Sequence, residues 1–140
     1  MKILVAADGS RYSKRMLAYL AAHDEWLGPR HSYTVLTVVP QVPARAAAAL
    51  PKEVLKAHHE EEVERVLKPI RSFFAKQGLQ ADFVSKAGPA ADAIAAMADK
   101  GKFNLLIMGS HGHGTLGNLV LGSVATKVIA QCAIPVLLVR

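Results

Sequence analysis

Five short apolar segments recur along this chain, separated by stretches in which apolar residues have helical spacing. The segments cover residues 3–7, 33–39, 81–85, 103–108 and 134–139. Most of them are apolar on both faces, which is typical of strands covered by helices on both sides of a sheet. Strands that alternate with helices form right-handed βαβ units and a parallel sheet. The sequence therefore predicts an α/β fold with an open parallel five-stranded sheet and helices on both faces.

The helices between these strands follow from apolar residues spaced three and four apart. They begin near Tyr12, Pro51, Ala90 and Ser123 and extend toward Gly28, Gly78, Gly101 and Gln131. Pro69 lies inside the second of these helices and should kink or break it. Residues 41–50 are rich in alanine between prolines, so they form either a mobile connection or a short extra helix.

Length and composition indicate one soluble domain covering residues 1–140. Hydrophobic residues make up 51% and charged residues 20%, which excludes a disordered or fibrous chain. No apolar run reaches the ~18 residues of a membrane span, and no secretion signal is recognisable, so we expect a cytoplasmic protein without a membrane partner. The single cysteine, Cys132, excludes an intrachain disulfide and a cysteine metal cage.

The chain carries a formal net charge of +6, which favours an anionic partner such as a nucleotide, an RNA or a membrane surface. Lysine and arginine are spread along the chain, and aromatic residues make up only 6% of it. These features do not indicate a stacking platform for nucleic acid.

The most informative segment is the glycine-rich loop from Gly109 to Ser123. It follows a buried strand and leads into a helix, which is where open parallel sheets bind ligands. Glycine lets a phosphate approach backbone N–H groups, and the helix N-terminus at Gly122 and Ser123 attracts anions. The alternative is an ordinary long turn with Ser123 as the N-cap residue. The loop lacks the Gly-Lys-Ser or Gly-Lys-Thr of a Walker motif.

The spacing of Gly109, Gly112 and the pair Gly122-Ser123 resembles the nucleotide motif of the ATP-binding branch of the universal stress protein family. Residues 3–10, 121–125 and 135–139 are similar to that family as well, so the resemblance covers the whole chain. It implies a Rossmann-like adenine-nucleotide-binding fold with strand order 3-2-1-4-5 and a crevice between the first and fourth strands.

The resemblance also implies roles for individual residues. Asp8 would lie near the ribose, Val38 would offer backbone groups to the adenine, and the phosphates would meet Gly112, Gly122 and Ser123. For Asp8 the alternative is a turn or N-cap residue. The remaining candidate nucleotide-binding residues adjoin these motifs and are Ala7, Met108, Gly109, His111, His113 and Val124.

This chain departs from the commoner family pattern at three positions. His113 stands where arginine or lysine is frequent, and Thr37 and Pro40 stand where a histidine and an acid often flank the valine. A neutral histidine brings no positive charge to a phosphate. Lys127, one turn into the last helix, is another source of charge, and we expect it to be solvated.

We assign no metal ligand and no catalytic residue. His58 and Glu62 have a spacing that can hold a metal, yet no third ligand is evident, so a solvated helix face is preferred. His111 and His113 lie near Ser110 and Ser123, but nothing indicates the orienting acid that nucleophilic catalysis requires. ATP hydrolysis should be very slow at most.

The sequence thus predicts a cytoplasmic stress-response protein that binds ATP, with or without Mg²⁺, and acts as a dimeric regulatory module. The last strand, from Ile134 to Val139, would be a sheet edge, whose unpaired backbone groups favour a homodimer. The resemblance implies the same dimer. A dimer that binds no nucleotide, a slow ATP hydrolase and a monomer with a covered edge stay open as alternatives.

Overall fold

The computed structural model describes residues 1–114 and 120–140. Its core is one parallel sheet of five strands in the order β3-β2-β1-β4-β5. The strands are β1 (Lys2–Ala6), β2 (Ser32–Val39), β3 (Ala81–Ala87), β4 (Leu105–Gly109) and β5 (Val136–Val139). The predicted fold class and strand order are confirmed. The strand ends differ from the prediction by two residues at most.

Six helices lie in the part of the chain that the structure describes. They are α1 (Arg11–Ala22), α2 (Asp24–Leu27), α3 (Ala44–Ala48), α4 (Lys52–Lys76), α5 (Ala90–Lys100) and α6 (Ser123–Gln131). Of the two alternatives for residues 41–50, a mobile connection or a short extra helix, the structure has the short helix α3. The first predicted helix does not continue to Gly28, because His23 leaves helical geometry (φ −126°, ψ 44°) and α2 begins after it.

The sheet has an apolar layer on each face, and β1 contributes to both. Ile3 and Val5 pack with α1, α2 and α4, whereas Leu4 and Ala6 pack with α5 and α6. This alternation follows from the two-residue period of a strand. Burial of an aliphatic side chain contributes roughly 1.5–3 kcal/mol, so the fully buried residues of β1 anchor both layers.

The chain changes direction across the sheet at β1. From β1 it proceeds outward to β2 and β3, and α5 then carries it back to β4 on the other side of β1. The connections after β1 and β4 therefore diverge at the carboxyl ends of these strands. A crevice forms at such a topological switch point.

Helix α4 is continuous through Pro69, so the prediction of a break there is wrong. Pro69 is exposed, while Val66, Leu67 and Ile70 of the same helix are buried against the sheet. Packing of this apolar stripe offsets the hydrogen bond that proline cannot donate to the carbonyl of Arg65.

No helix among the residues described is long and apolar enough to cross a membrane.

We predict that Pro69→Ala stabilises the protein. Alanine restores a helical N–H and removes the ring, while an exposed position loses no core contact. The free energy of unfolding should rise by about 2 kcal/mol. This figure is the gain from removing proline from the helix interior after subtraction of the stabilisation that proline gives by restricting the unfolded chain. Urea denaturation measures the change, with Lys68→Ala at the exposed neighbouring position as control. An equal or lower stability of Pro69→Ala would contradict this account.

Candidate functional site

A crevice opens at the carboxyl ends of β1, β2 and β4 and has two connected lobes. The inner lobe spans about 490 Å³, including space open to solvent, and nine of its fourteen lining residues are apolar. These nine are Ala6, Ala7, Leu36, Val38, Ala90, Ile94, Met108, Val124 and Ala125. Such walls suit the flat apolar faces of an organic ligand.

The outer lobe is wider, spanning about 1310 Å³ including space open to solvent, and more of its lining residues are charged or polar. The glycine loop and the start of α6 form one wall through Gly112, His113, Gly114, Gly122 and Ser123. The end of β2 and the middle of α4 form the opposite wall, and Asp8, Val38, Ala90, Gly112 and Val124 line both lobes. The crevice thus combines an inner lobe with mostly apolar lining residues and an outer lobe that also has charged ones.

The structure brings all eleven residues of the sequence-based candidate set to this crevice. The inner lobe is lined by Ala7, Asp8, Val38, Met108, Gly109, His111, Gly112 and Val124. His113, Gly122 and Ser123 line the outer lobe. The middle of the predicted glycine loop, residues 115–119, lies outside the described residues.

Asp8 lies in a hydrogen-bonded turn directly after β1. Its Oδ1 accepts from the Ser10 backbone N–H and from the Ser13 hydroxyl, both at 2.9 Å. The Asp8 N–H donates in turn to Ser13 Oγ at 3.0 Å. The turn role that the sequence left open is therefore real. A carboxylate has about four acceptor positions, so it retains capacity toward the crevice.

Gly112 and Gly122 hold the loop in close contact with its surroundings. A Cβ on Gly112 would lie 2.9 Å from Asp8 Oδ2, and a Cβ on Gly122 would lie 3.0 Å from the His111 Cα. The Gly122 N–H also donates to the Ser110 carbonyl at 2.8 Å. A larger residue at Gly122 would press on the backbone and shift the loop, whereas a larger residue at Gly112 would displace the Asp8 carboxylate, whether or not a phosphate binds.

Two histidines connect the glycine loop to the β1–α1 region. His113 Nε2–H donates to the Asp8 carbonyl at 2.7 Å, and the His111 ring lies 4.7 Å from the Tyr12 ring. His111 Nδ1 also shares a 2.7 Å hydrogen bond with the Ser110 hydroxyl. Ser110 is fully buried, so this serine–histidine pair fixes the loop and does not present a nucleophile.

Helix α6 begins at the outer lobe. Gly122 is its N-cap residue, with φ −71° and ψ 163°, and Ser123 is the first helical residue. The alternative in which Ser123 itself caps the helix is therefore wrong. No side chain in the described residues caps this end. The first-turn N–H groups and the Ser123 hydroxyl thus face no competing side-chain acceptor there.

Several lining residues were not anticipated from the sequence. Leu36, Ala90, Ile94 and Ala125 line the inner lobe, and Glu62 and Arg65 line the outer one. Ala90 follows Gly88-Pro89 after the third strand, so the strand–turn–helix rule applied to the glycine loop also points to it. Arg65 lies in the middle of a long helix, where no motif marks it.

Of the charged residues considered in the sequence, Lys127 lies outside the crevice and Glu62 lines it. Lys127 is exposed on α6 and does not line either lobe. Glu62 pairs with Arg65 and lies in the outer lobe. Within the described ranges, no three histidine, cysteine or acidic residues are grouped so that they could hold a metal ion.

A parallel sheet with a ligand-sized crevice at its switch point defines the class of doubly wound α/β proteins. The universal stress protein family model matches residues 1–140, and the chain belongs to this family. It is 35% identical over 139 residues to the universal stress protein in QAH/OAS sulfhydrylase 3'region of Thermus aquaticus, covering 99% of this chain and 97% of that one.

Solved structures share the fold. The hypothetical protein MJ0577 superposes with a TM-score of 0.83 at 26% identity, covering 99% of this chain and 94% of that one. The universal stress protein from Archaeoglobus fulgidus in complex with dAMP superposes with a TM-score of 0.70 at 22% identity, covering 100% of this chain and 98% of that one. Other universal stress proteins of this fold are described with AMP or cAMP bound.

Asp8→Ala should destabilise the protein, and Asp8→Asn should do so less. Alanine leaves the Ser10 N–H and the Ser13 hydroxyl without their acceptor, whereas the asparagine amide oxygen retains one. Loss of the two hydrogen bonds should cost about 1–3 kcal/mol. Chemical denaturation of both variants tests this, and an Asp8→Ala protein as stable as the wild type would show that the turn does not depend on the carboxylate.

Proposed function

We propose that residues 1–140 form one universal stress protein domain that binds ATP in the crevice and acts as a cytoplasmic regulatory module. The observation that carries this proposal is the convergence of all eleven candidate residues on one crevice, whose inner lobe has mostly apolar lining residues and whose outer lobe also has charged ones. An adenine nucleotide has the same division into an apolar base and a charged phosphate chain.

The inner lobe suits the adenosine part of the nucleotide. Leu36, Met108 and Ile94 offer apolar surface to a planar base, and Val38 lines the same lobe. The Asp8 carboxylate is the one acidic group among the described residues that line this lobe. It can accept hydrogen bonds from ribose hydroxyls with the capacity that its turn leaves.

The outer lobe suits the phosphates. Gly122 and Ser123 lie at the N-terminus of α6, where backbone N–H groups and the helix dipole favour an anion. The space there exceeds that of the inner lobe, which fits ATP, alone or with Mg²⁺ on its phosphates. Adenine nucleotides in solved structures of the same family support this class of ligand.

A regulatory role fits the site better than rapid catalysis. Ser110 is buried. His113 hydrogen-bonds to a backbone carbonyl, and Glu62 is paired with an arginine. None of these groups is arranged as a general base for an attacking water. We propose that the protein hydrolyses ATP slowly at most and that the ATP-bound state itself is the regulatory signal.

Ala90→Leu should block nucleotide binding. Ala90 is half-buried, lies at the start of α5 and lines both lobes, so a larger side chain occupies space that the nucleotide needs. Isothermal titration with ATP should show affinity at least about tenfold weaker, a change of ~1.4 kcal/mol.

Ala96→Leu is the matched control, because Ala96 is exposed on the same helix and does not line the crevice. It should bind ATP like the wild type. Wild-type protein that binds neither ATP nor AMP would refute the proposal, and equal ATP affinity in Ala90→Leu would place the nucleotide elsewhere.

We also propose a homodimer through β5, which is an edge of the sheet. The carbonyls of Pro135 and Val139 accept bonds from Leu106 and Ser110 of the neighbouring strand region. Because successive residues of a strand point their backbone groups to opposite sides, those of Val136 and Leu138 face away from β4. Two such edges can pair about a two-fold axis.

Leu138→Pro should dissociate this dimer, because proline removes an outward N–H without removing a bond to β4. Leu138→Ala removes most of the same side chain and keeps the N–H, so it should remain dimeric. Sedimentation velocity at micromolar concentration distinguishes the two variants. A monomeric wild type, or a fully dimeric Leu138→Pro, would contradict pairing through β5.

A further inference from the structure

The crevice has little positive charge for a ligand that carries several negative ones. The segment from Gly109 to Ser123 contains no lysine or arginine in its sequence. Among the described residues that line either lobe, Asp8 and Glu62 are acidic, and Arg65 is the one arginine or lysine. Among the described lining residues, Arg65 is therefore the fully charged cation available to phosphates in these lobes.

Arg65 comes to the crevice because α4 packs beside the turn after β1. Its neighbour Val66 is buried, and the Val66 Cγ2 atom lies 3.4 Å from the position that a Cβ on Gly9 would occupy. Val66, Glu62 and Arg65 all line the outer lobe. The same lobe is lined by Gly122 and Ser123 at the start of α6, so Arg65 lines the space that we assign to the phosphates.

Arg65 is held by a carboxylate of its own helix. Its Nη2 donates to Glu62 Oε2 at 2.9 Å, and the two side chains are 59% and 35% exposed. The hydrogen bond from Arg65 lowers the pKa of Glu62 further below neutrality, so the pair is an ion pair at neutral pH. An exposed pair of this kind is worth little, so exchanging its partner costs little.

We propose that Arg65 binds the phosphate groups of the nucleotide and that Glu62 is the counterion it releases when the nucleotide binds. A guanidinium forms forked, charge-assisted hydrogen bonds with phosphate. The negative charge of Glu62 meanwhile repels any anion that does not bind the Arg65 guanidinium. The pair thereby sets the preference of the crevice for ATP over AMP and adenosine. This inference rests on the proposed nucleotide site.

Titration of adenosine, AMP and ATP into Arg65→Gln tests the proposal. ATP affinity should fall by about tenfold, equivalent to ~1.4 kcal/mol, with a smaller loss for AMP and less than about twofold for adenosine. Arg65→Lys keeps the positive charge but loses the forked hydrogen bonds of the guanidinium, so its ATP affinity should lie between those of the wild type and Arg65→Gln. The salt dependence of ATP binding should weaken in Arg65→Gln, since one screened charge contact is gone.

Arg71→Gln is the matched control. Arg71 lies on the same helix and pairs with Glu64 at 2.7 Å, but it does not line the crevice. Its variant removes an equal charge and a similar ion pair, and it should leave all three affinities unchanged. An equal loss of ATP affinity in Arg71→Gln would show that net charge alone is responsible and would overturn the proposal.

Glu62→Gln tests the counterion, with Glu64→Gln as its control. Removal of the Glu62 charge should tighten ATP binding by about threefold. The phosphate then no longer competes with a carboxylate for Arg65 and is no longer repelled by it. Unchanged or weaker ATP binding in Glu62→Gln would refute the exchange of partners.

The results also separate this inference from the function it rests on. A wild type that binds none of the three ligands refutes the nucleotide site itself. A wild type that binds ATP, with an unchanged ratio of ATP to adenosine affinity in Arg65→Gln, overturns only the role of Arg65. Parallel losses for adenosine and ATP would indicate a structural role and would overturn it equally.

Discussion

The architecture depends on the burial of β1 from both sides. Ile3, Leu4 and Val5 have no exposed surface, and their side chains enter opposite apolar layers. A strand buried in this way can have its polar backbone satisfied only by a neighbour on each edge, which β2 and β4 provide. Because the chain reaches these neighbours by moving first to one side of β1 and later to the other, the connecting segments part at one end of the strand. The crevice is the space they leave.

The residues around that space serve the fold and the site at once. Asp8 organises the turn after β1, and Gly112 and Gly122 allow the loop to pack against Asp8 and His111. Substitutions there change the loop as well as any ligand contact, so lost binding at these positions does not by itself identify a ligand residue. Ala90 and Arg65 are more informative, because they line the crevice without supporting the turn.

The sequence predicts the sheet well because most of its strands are apolar runs and the glycine loop follows one of them. It does not predict the division between α1 and α2, since nothing near His23 resembles a helix stop. A break at Pro69 does not occur, because tertiary packing of Val66 and Ile70 outweighs the local penalty. Arg65 was missed for a related reason. Its place in the outer lobe depends on how α4 is rotated and shifted against the sheet, and apolar periodicity identifies only the buried face of that helix.

The central position of β1 has a consequence for synthesis of the chain. Ile3 pairs with Leu105, so one edge of the first strand stays without its partner until most of the polypeptide has left the ribosome. During that interval an apolar strand with unpaired backbone groups is exposed to solvent and to other nascent chains. The segment that holds the finished protein together is thus also one that stays incompletely paired for most of its synthesis.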